Sequence, residues 1–217
     1  MLRRFLPSWS TRLPPRSFEH LKSVSKRSMS DESAIKASQD SWKFRGNNRP
    51  PFAIAPGPGQ ESVWDYPRPP AIVPDPRAVT VKALGKETPI VNGSLNAIRI
   101  CETAAPPTWY LPKSDVDTTK LVRVADQSSF CEWKGAATYW ALTEAPGKAV
   151  AWSYESPRKE FQAIAGHICF YPSRVECYVQ GKETTERVRP QPSEFYGGWV
   201  TNEIVGPFKG EAGTSHW

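Results

Sequence analysis

No stretch of this chain approaches the ~20 consecutive apolar residues that a membrane-crossing helix needs, so no membrane association is expected. Cysteine is scarce: Cys101, Cys131, Cys169 and Cys177 are the four, and no two form a C-x-x-C pair. Structural zinc usually takes such pairs, or Cys and His at short spacing, so no metal site is expected. Without a secretory signal, free thiols in a reducing compartment are the simpler reading of those cysteines. Histidine is scarcer still. Of the three, His20 and His216 lie in terminal segments, which leaves His167 and rules out a multi-His centre. No phosphate loop, no Gly-x-Gly-x-x-Gly fingerprint and no Gly-x-Ser-x-Gly elbow occurs.

The body of the chain also lacks a net cationic field. The formal charge is +6, but residues 1–30 hold seven basic residues against Glu19 alone. The remaining 21 basic and 21 acidic residues cancel. Nucleic-acid binding leans on phosphate neutralisation and is therefore not expected.

What the chain has in abundance is proline, 22 residues, and tryptophan, 9 residues. Proline costs roughly 3 kcal/mol inside a helix, so the composition opposes a helical protein. Residues 1–30 are Arg- and Ser-rich and acid-poor, as in a mitochondrial or plastid transit peptide. Met29 offers a second start that would leave the core without this leader. Residues 31–62 read as a disordered linker, polar and then Gly/Pro-rich through Pro56-Gly57-Pro58-Gly59. Residues 63–217 read as a single domain. Order is expected from Val63-Trp64, and from there the pattern has period two. Val79/Val81, Ile98/Ile100, 108–111, 137–142, 149–154 and Val175/Cys177/Val179 are the strand candidates. One helix is expected over Pro157 to Gly166, with proline at its start and glycine at its end.

Between Phe130 and Tyr154 lie three tryptophans, two tyrosines, the Cys131 thiol and the Lys134 amine, on what read as consecutive strands. Trp140, Trp152 and Tyr154 are the candidate cavity walls, with Val150 on the face of Trp152 and Leu142 on the face of Trp140. Glu102 follows Ile98 and Ile100 on the inward face, where a carboxylate needs a partner. It reads either as a cavity anchor or base, or as a strand end emerging into water. Lys134 reads as an anion contact or as an amine whose pKa burial would lower; its alternative is a solvated turn lysine. Cys131 stands three residues before Lys134, and an ammonium can raise thiolate character; buried inert thiols are the commoner case. His167 closes the expected helix, either as a dipole partner or as an acid–base group. Cys169 and Cys177 fall at apolar strand positions and read as core.

Taken in order, Trp64-Asp65-Tyr66-Pro67-Arg68-Pro69-Pro70, Glu102-Thr103 with Pro106-Pro107 and Tyr110-Leu111-Pro112, Cys131-Glu132-Trp133-Lys134-Gly135 with Tyr139-Trp140, Ala151-Trp152-Ser153-Tyr154, Phe170-Tyr171, and Gly197-Gly198-Trp199 with Gly206-Pro207-Phe208-Lys209-Gly210 resemble the domain-of-unknown-function 427 family, over about residues 63–217. The resemblance implies a mainly β, β-tent-like fold: two antiparallel sheets packed at an angle over a small cavity, with one short helix and a disordered N-terminal extension. It also implies that a tryptophan cage, if present, falls on Trp140, Trp152 and neighbouring aromatics, with Glu102 and Lys134 as polar anchors. The zinc cysteines of other β-tent domains are missing. Ala104-Ala105 stands where a Ser-His pair is common in the family. The family is sometimes labelled nucleotidyltransferase-like, yet no phosphate cradle or metal carboxylates match that chemistry here.

Three functional readings follow. The first is a small-molecule-binding domain with an aromatic cavity. The second is a transferase or hydrolase using Glu102 or His167 as base and Lys134 or Cys131 as partner. The third is a scaffold whose aromatics are only core. The sequence names no cofactor, ligand or oligomeric state. Location is mitochondrial or plastid if the leader is used, and cytoplasmic otherwise.

Overall fold

A computed structural model describes residues 32–193, 195–211, 213 and 214. The leader assigned to residues 1–30 lies outside the described residues. Residues 32–40 are helical, with Lys36 and Asp40 paired across one turn at 3.6 Å. They belong to one compact unit, and Ser41–Trp217 forms another. The sequence placed this helix in an unstructured linker.

The second unit is made of strands. In chain order these are β1 (Glu61–Ser62), β2 (Ala71–Asp75), β3 (Val79–Lys82), β4 (Pro89–Ser94), β5 (Ala97–Cys101), β6 (Thr108–Leu111), β7 (Leu121–Cys131) and β8 (Gly135–Leu142). There follow β9 (Ala145–Ser153), β10 (Ile168–Phe170), β11 (Glu176–Gln180), β12 (Thr185–Arg187), β13 (Arg189–Pro190), β14 (Trp199–Val200) and β15 (Ile204–Val205). Seven of them form a large sheet in the order β2-β5-β6-β10-β9-β8-β7, and four form a smaller one, β12-β11-β3-β4. Both are antiparallel throughout. β1 and β15 make a separate parallel pair.

The mainly β fold expected from the period-two pattern is the fold observed. Alternation then sorts side chains onto two faces of the large sheet. Trp109, Leu111, Ile168 and Phe170 point to one side, where they meet Val79, Val81, Val91 and Val179 of the small sheet in the main core. Trp199 joins there, stacked on Trp109 at 5.7 Å, a pairing worth about 0.5–1.5 kcal/mol beyond area burial. The alternate residues Tyr110, Cys169 and Trp152 point to the other side, into a second cluster with Ile100, Tyr139 and Tyr154. A sheet buried on both faces explains why β6 (TWYL) and β10 (ICF) read as apolar runs.

Three local features differ from the sequence pattern. The helix expected over 157–166 is a short 3-10 segment, Lys159–Ile164, broken at Phe161. Its three-residue period puts Phe161 and Ile164 on one buried side. Val150 does not share the face of Trp152. Trp140 pairs with Ala151 and Ala141 with Ala149, so Val150 is an extra, bulged residue and turns into the main core. Finally, packed contacts begin well before Val63: Phe44 and Phe52 set their rings edge-on to Trp64 at 5.2 and 5.0 Å.

Candidate functional site

The second face of the large sheet is not filled solid. A cavity of about 380 Å³ opens over it, walled by Tyr110, Tyr139, Trp152, Tyr154 and Tyr171. Strand pairing assembles that wall. Tyr139 lies opposite Trp152, and Trp152 lies opposite Cys169 on the next strand. The indole N–H of Trp152 donates to the Tyr110 hydroxyl at 3.1 Å, and its ring packs 4.5 Å from that of Tyr171. Burial raises the Tyr110, Tyr154 and Tyr171 hydroxyls above the ordinary phenol value, so all three stay protonated. Among the described residues the Tyr154 hydroxyl has no hydrogen-bond partner.

Two turns deliver the charged groups. β7 and β8 are joined by Glu132-Trp133-Lys134, and Gly135 follows at φ 99°, a left-handed position that a three-residue hairpin loop requires and glycine supplies. This turn sends Trp133 into the aromatic cluster, gives Glu132 to the indole N–H of Trp42 at 2.9 Å and turns Lys134 into the cavity. The second turn follows β5. Ile98 and Ile100 share the cavity face, and Glu102 continues it. Two residues later Ala104 is fully buried at φ 71°, a conformation that costs an alanine about 1–3 kcal/mol. Its N–H donates to the Val63 carbonyl and its own carbonyl accepts from the Lys209 N–H at 2.7 Å. The strained turn therefore ties Glu102 to Lys209.

Lys134 is 8% exposed. Its ammonium stands 3.9 Å from Glu102, too far for a tight ion pair. Burial pulls its pKa down, but Cys131 and Glu102 beside it prevail and hold it above the ordinary value. The sequence expectation of a depressed, nucleophilic Lys134 is thus overturned: this lysine is a fixed cation. Arg68 is saturated. It donates to Glu102 at 3.2 Å, to the Phe44 carbonyl at 3.0 Å and to the Thr103 carbonyl at 2.9 Å, and stacks on Trp42 at 3.8 Å. The amine with the depressed pKa is Lys209, drawn down to about 8 by burial and then by the Arg68 charge.

A family model described as a domain of unknown function (DUF427) matches residues 71–181. The chain belongs to that family. No curated protein matches it. The DUF427 segment supplies the floor and wall of the cavity, including Glu102, Cys131, Lys134, Trp152 and Tyr154. The mouth comes from outside that segment: Trp42, Arg68, Tyr196 and Lys209.

Five of the seven residues singled out from sequence therefore line one cavity, and two do not. Trp140 is on the opposite face, packed against the main core, with its N–H donating to Ser153 at 2.8 Å. The aromatic of β8 that faces the cavity is its neighbour Tyr139. His167 is half-buried behind the 3-10 segment, with Nδ1 3.2 Å from the Ala165 carbonyl, and does not reach the cavity. Sequence reasoning missed Arg68, Lys209 and Trp42 as site residues. Arg68 and Lys209 lie in motifs that carry the family resemblance, but nothing local to them indicates convergence on Glu102. Trp42 stands in a polar stretch, running into Pro50-Pro51, that carries no strand signal.

Proposed function

We propose that this domain binds a small molecule with a flat apolar body and an anionic end. The rings of Trp152, Tyr139 and Tyr171 cover the body, and the Lys134 ammonium takes the anion. The carrying observation is Lys134: a protonated amine, almost fully buried, whose nearest carboxylate stands 3.9 Å away. The Cys131 side chain and a carboxylate at 3.9 Å leave this buried ammonium short of close acceptors, and a ligand oxygen would supply one. The charge balance agrees, since three cations and two carboxylates line the cavity. About 380 Å³ lies within the range of small-molecule sites, roughly 300–1,000 Å³. Glu102 pairs with Arg68 at 3.2 Å and is the group best positioned to act as a base.

Titration with small aromatic carboxylates, benzoate being the simplest, tests the reading. Saturable quenching of tryptophan fluorescence is expected. Trp152→Ala should abolish it and Lys134→Gln weaken it, with circular dichroism unchanged. A wild-type signal that never saturates with any member of the series would end the proposal. The composition of residues 1–30 further supports a leader directing the chain to a mitochondrion or plastid. Fusing those residues to a fluorescent reporter checks this, and a diffuse cytosolic signal would refute it.

A further inference from the structure

We propose that Lys209 is a nucleophilic amine that condenses reversibly with the carbonyl group of an aldehyde or ketone held in the cavity. This rests on the binding reading above and deepens it by naming the substrate class: an apolar or aromatic carbonyl compound with an acidic group for Lys134.

The two lysines of the cavity are built for different work. Lys134 faces Cys131 and Glu102, which keep its proton on. Lys209 faces rings. Its Nζ lies 3.9 Å from the centroid of the Trp42 ring and 5.9 Å from that of Tyr196. Among the described residues it has no hydrogen bond and no carboxylate at ion-pair distance. The Arg68 guanidinium stacks on the same indole at 3.8 Å, so a second positive charge stands beside the amine. Burial and that like charge disfavour the ammonium form and outweigh the pull of the Trp42 face on a cation. They are the means by which an amine becomes a nucleophile near neutral pH. Of the ionisable groups acting on it, Glu102 and Glu132 oppose this, but burial and Arg68 prevail.

The presentation is rigid as well. The Lys209 N–H is held by the Ala104 carbonyl at 2.7 Å and its carbonyl by the Gln191 side chain at 2.5 Å. These bonds fix the backbone from which the side chain reaches the Trp42 face. The trigonal carbonyl carbon would be approached from the mouth while the acidic end reaches inward to Lys134.

The chemistry balances without a redox partner. The Nζ lone pair forms a bond to the carbonyl carbon, and the C=O π electrons move to oxygen. The two nitrogen protons leave with that oxygen as water, and a C=N bond remains. Uptake of one proton gives the iminium form, and hydrolysis reverses the sequence.

The test uses the full chain with 4-carboxybenzaldehyde, trapping any imine with cyanoborohydride and mapping the adduct by peptide mass spectrometry. With a pKa near 8, about a tenth of Lys209 is neutral at pH 7, against roughly 0.04% for an ordinary lysine. Labelling of Lys209 should outpace the exposed Lys148 and Lys159 by roughly ten-fold or more at pH 7. The advantage should disappear in denaturing urea. Lys209→Arg, which keeps the charge and the stacking, should lose the adduct while still binding benzoate. The site of labelling in the wild-type chain needs no variant, so a misfolded mutant cannot obscure the answer. Lys209 labelled no faster than Lys148 overturns the proposal. Benzoate binding without a Lys209 adduct refutes the amine and leaves the binding reading intact. A Lys209 adduct without benzoate binding refutes the anion reading and upholds the amine.

Discussion

Single residues set how open the cavity is. A methyl group added at Gly197 would overlap Cη2 and Cζ3 of Trp152 and meet the Tyr171 ring at 3.2 Å. Trp152 cannot yield freely, because its N–H is bonded to Tyr110 and its ring leans on Tyr171. Gly197→Ala is therefore expected to cost about 1–3 kcal/mol, as overpacked cores do, and to abolish benzoate quenching. Gly147→Ala meets nothing within 4 Å and serves as the neutral control, within about 0.5 kcal/mol. Equal urea midpoints for the two would show that Trp152 moves aside. Thiol chemistry separates residues in the same way. Cys169 and Cys177 are fully buried, and burial lifts both thiols well above their ordinary range. Cys131 is half-buried on the cavity. Iodoacetamide should alkylate Cys131 in the native protein and reach Cys169 and Cys177 only on unfolding. Native labelling of Cys169 would contradict the packing described.

At the scale of elements, β1, β2, β5 and β15 converge on one ionic cluster. Asp75 at the end of β2 takes Arg77 at 2.8 Å and Arg99 of β5 at 3.0 Å. Arg99 also reaches Glu61 of β1 at 3.1 Å, and Arg77 reaches Glu203, just before β15, at 2.5 Å. Burial raises the Asp75 and Glu61 carboxyls. The bonds from Arg77 to Asp75, and from Tyr66 and Arg99 to Glu61, outweigh this and leave both lowered. A carboxylate lowered on folding contributes stability that is complete above its unfolded pKa, near 4. That contribution fades as pH falls through the folded value. The thermal midpoint should thus drop below about pH 4. In Asp75→Asn, already destabilised by about 1–3 kcal/mol at neutral pH through its lost bonds to Arg77 and Arg99 while Glu61 still pairs Arg99, the acid dependence should be shallower. An unchanged acid slope in that variant would remove Asp75 from the cause. Legibility follows the same elements. β5, β6, β8 and β11 were readable because clean alternation, or a short apolar run between prolines, marks them. β7 was not: its residues Leu121–Cys131 carry mixed polar side chains, and its pairing with β8 is interrupted between Arg123 and Ser128. β2 carries Pro74, which only an edge strand tolerates. The bulge at Val150 left no mark in the residues themselves.

At the scale of the molecule, the cavity joins parts of unequal legibility. Its wall was readable, because Trp152, Tyr154, Lys134 and Cys131 lie close together in sequence and the family segment contains them all. Its mouth was not. Trp42 and Lys209 come from opposite ends of the chain, and only the folded path brings a lysine, an arginine and an indole together. The stretch that carries Trp42 also carries Phe44 and Phe52, whose rings close on Trp64. It therefore has two roles, completing a hydrophobic cluster and covering Lys209, and truncation separates them from the DUF427 core. A chain starting at Ser41 should keep both roles. One starting at residue 55 loses three partly buried aromatic side chains, Phe52 being 46% exposed, and its urea midpoint should fall, by less than the roughly 1.5–3 kcal/mol per ring that full burial is worth. It also loses the indole that shields Lys209. The pKa of that amine should then climb from about 8 toward the ordinary lysine value, and its advantage in aldehyde trapping at pH 7 should fall away. Benzoate quenching, which depends on Trp152 and Lys134, should survive in the shorter chain. Loss of quenching together with trapping would mean that the N-terminal strap holds the cavity wall itself in shape, rather than only tuning the amine at its mouth.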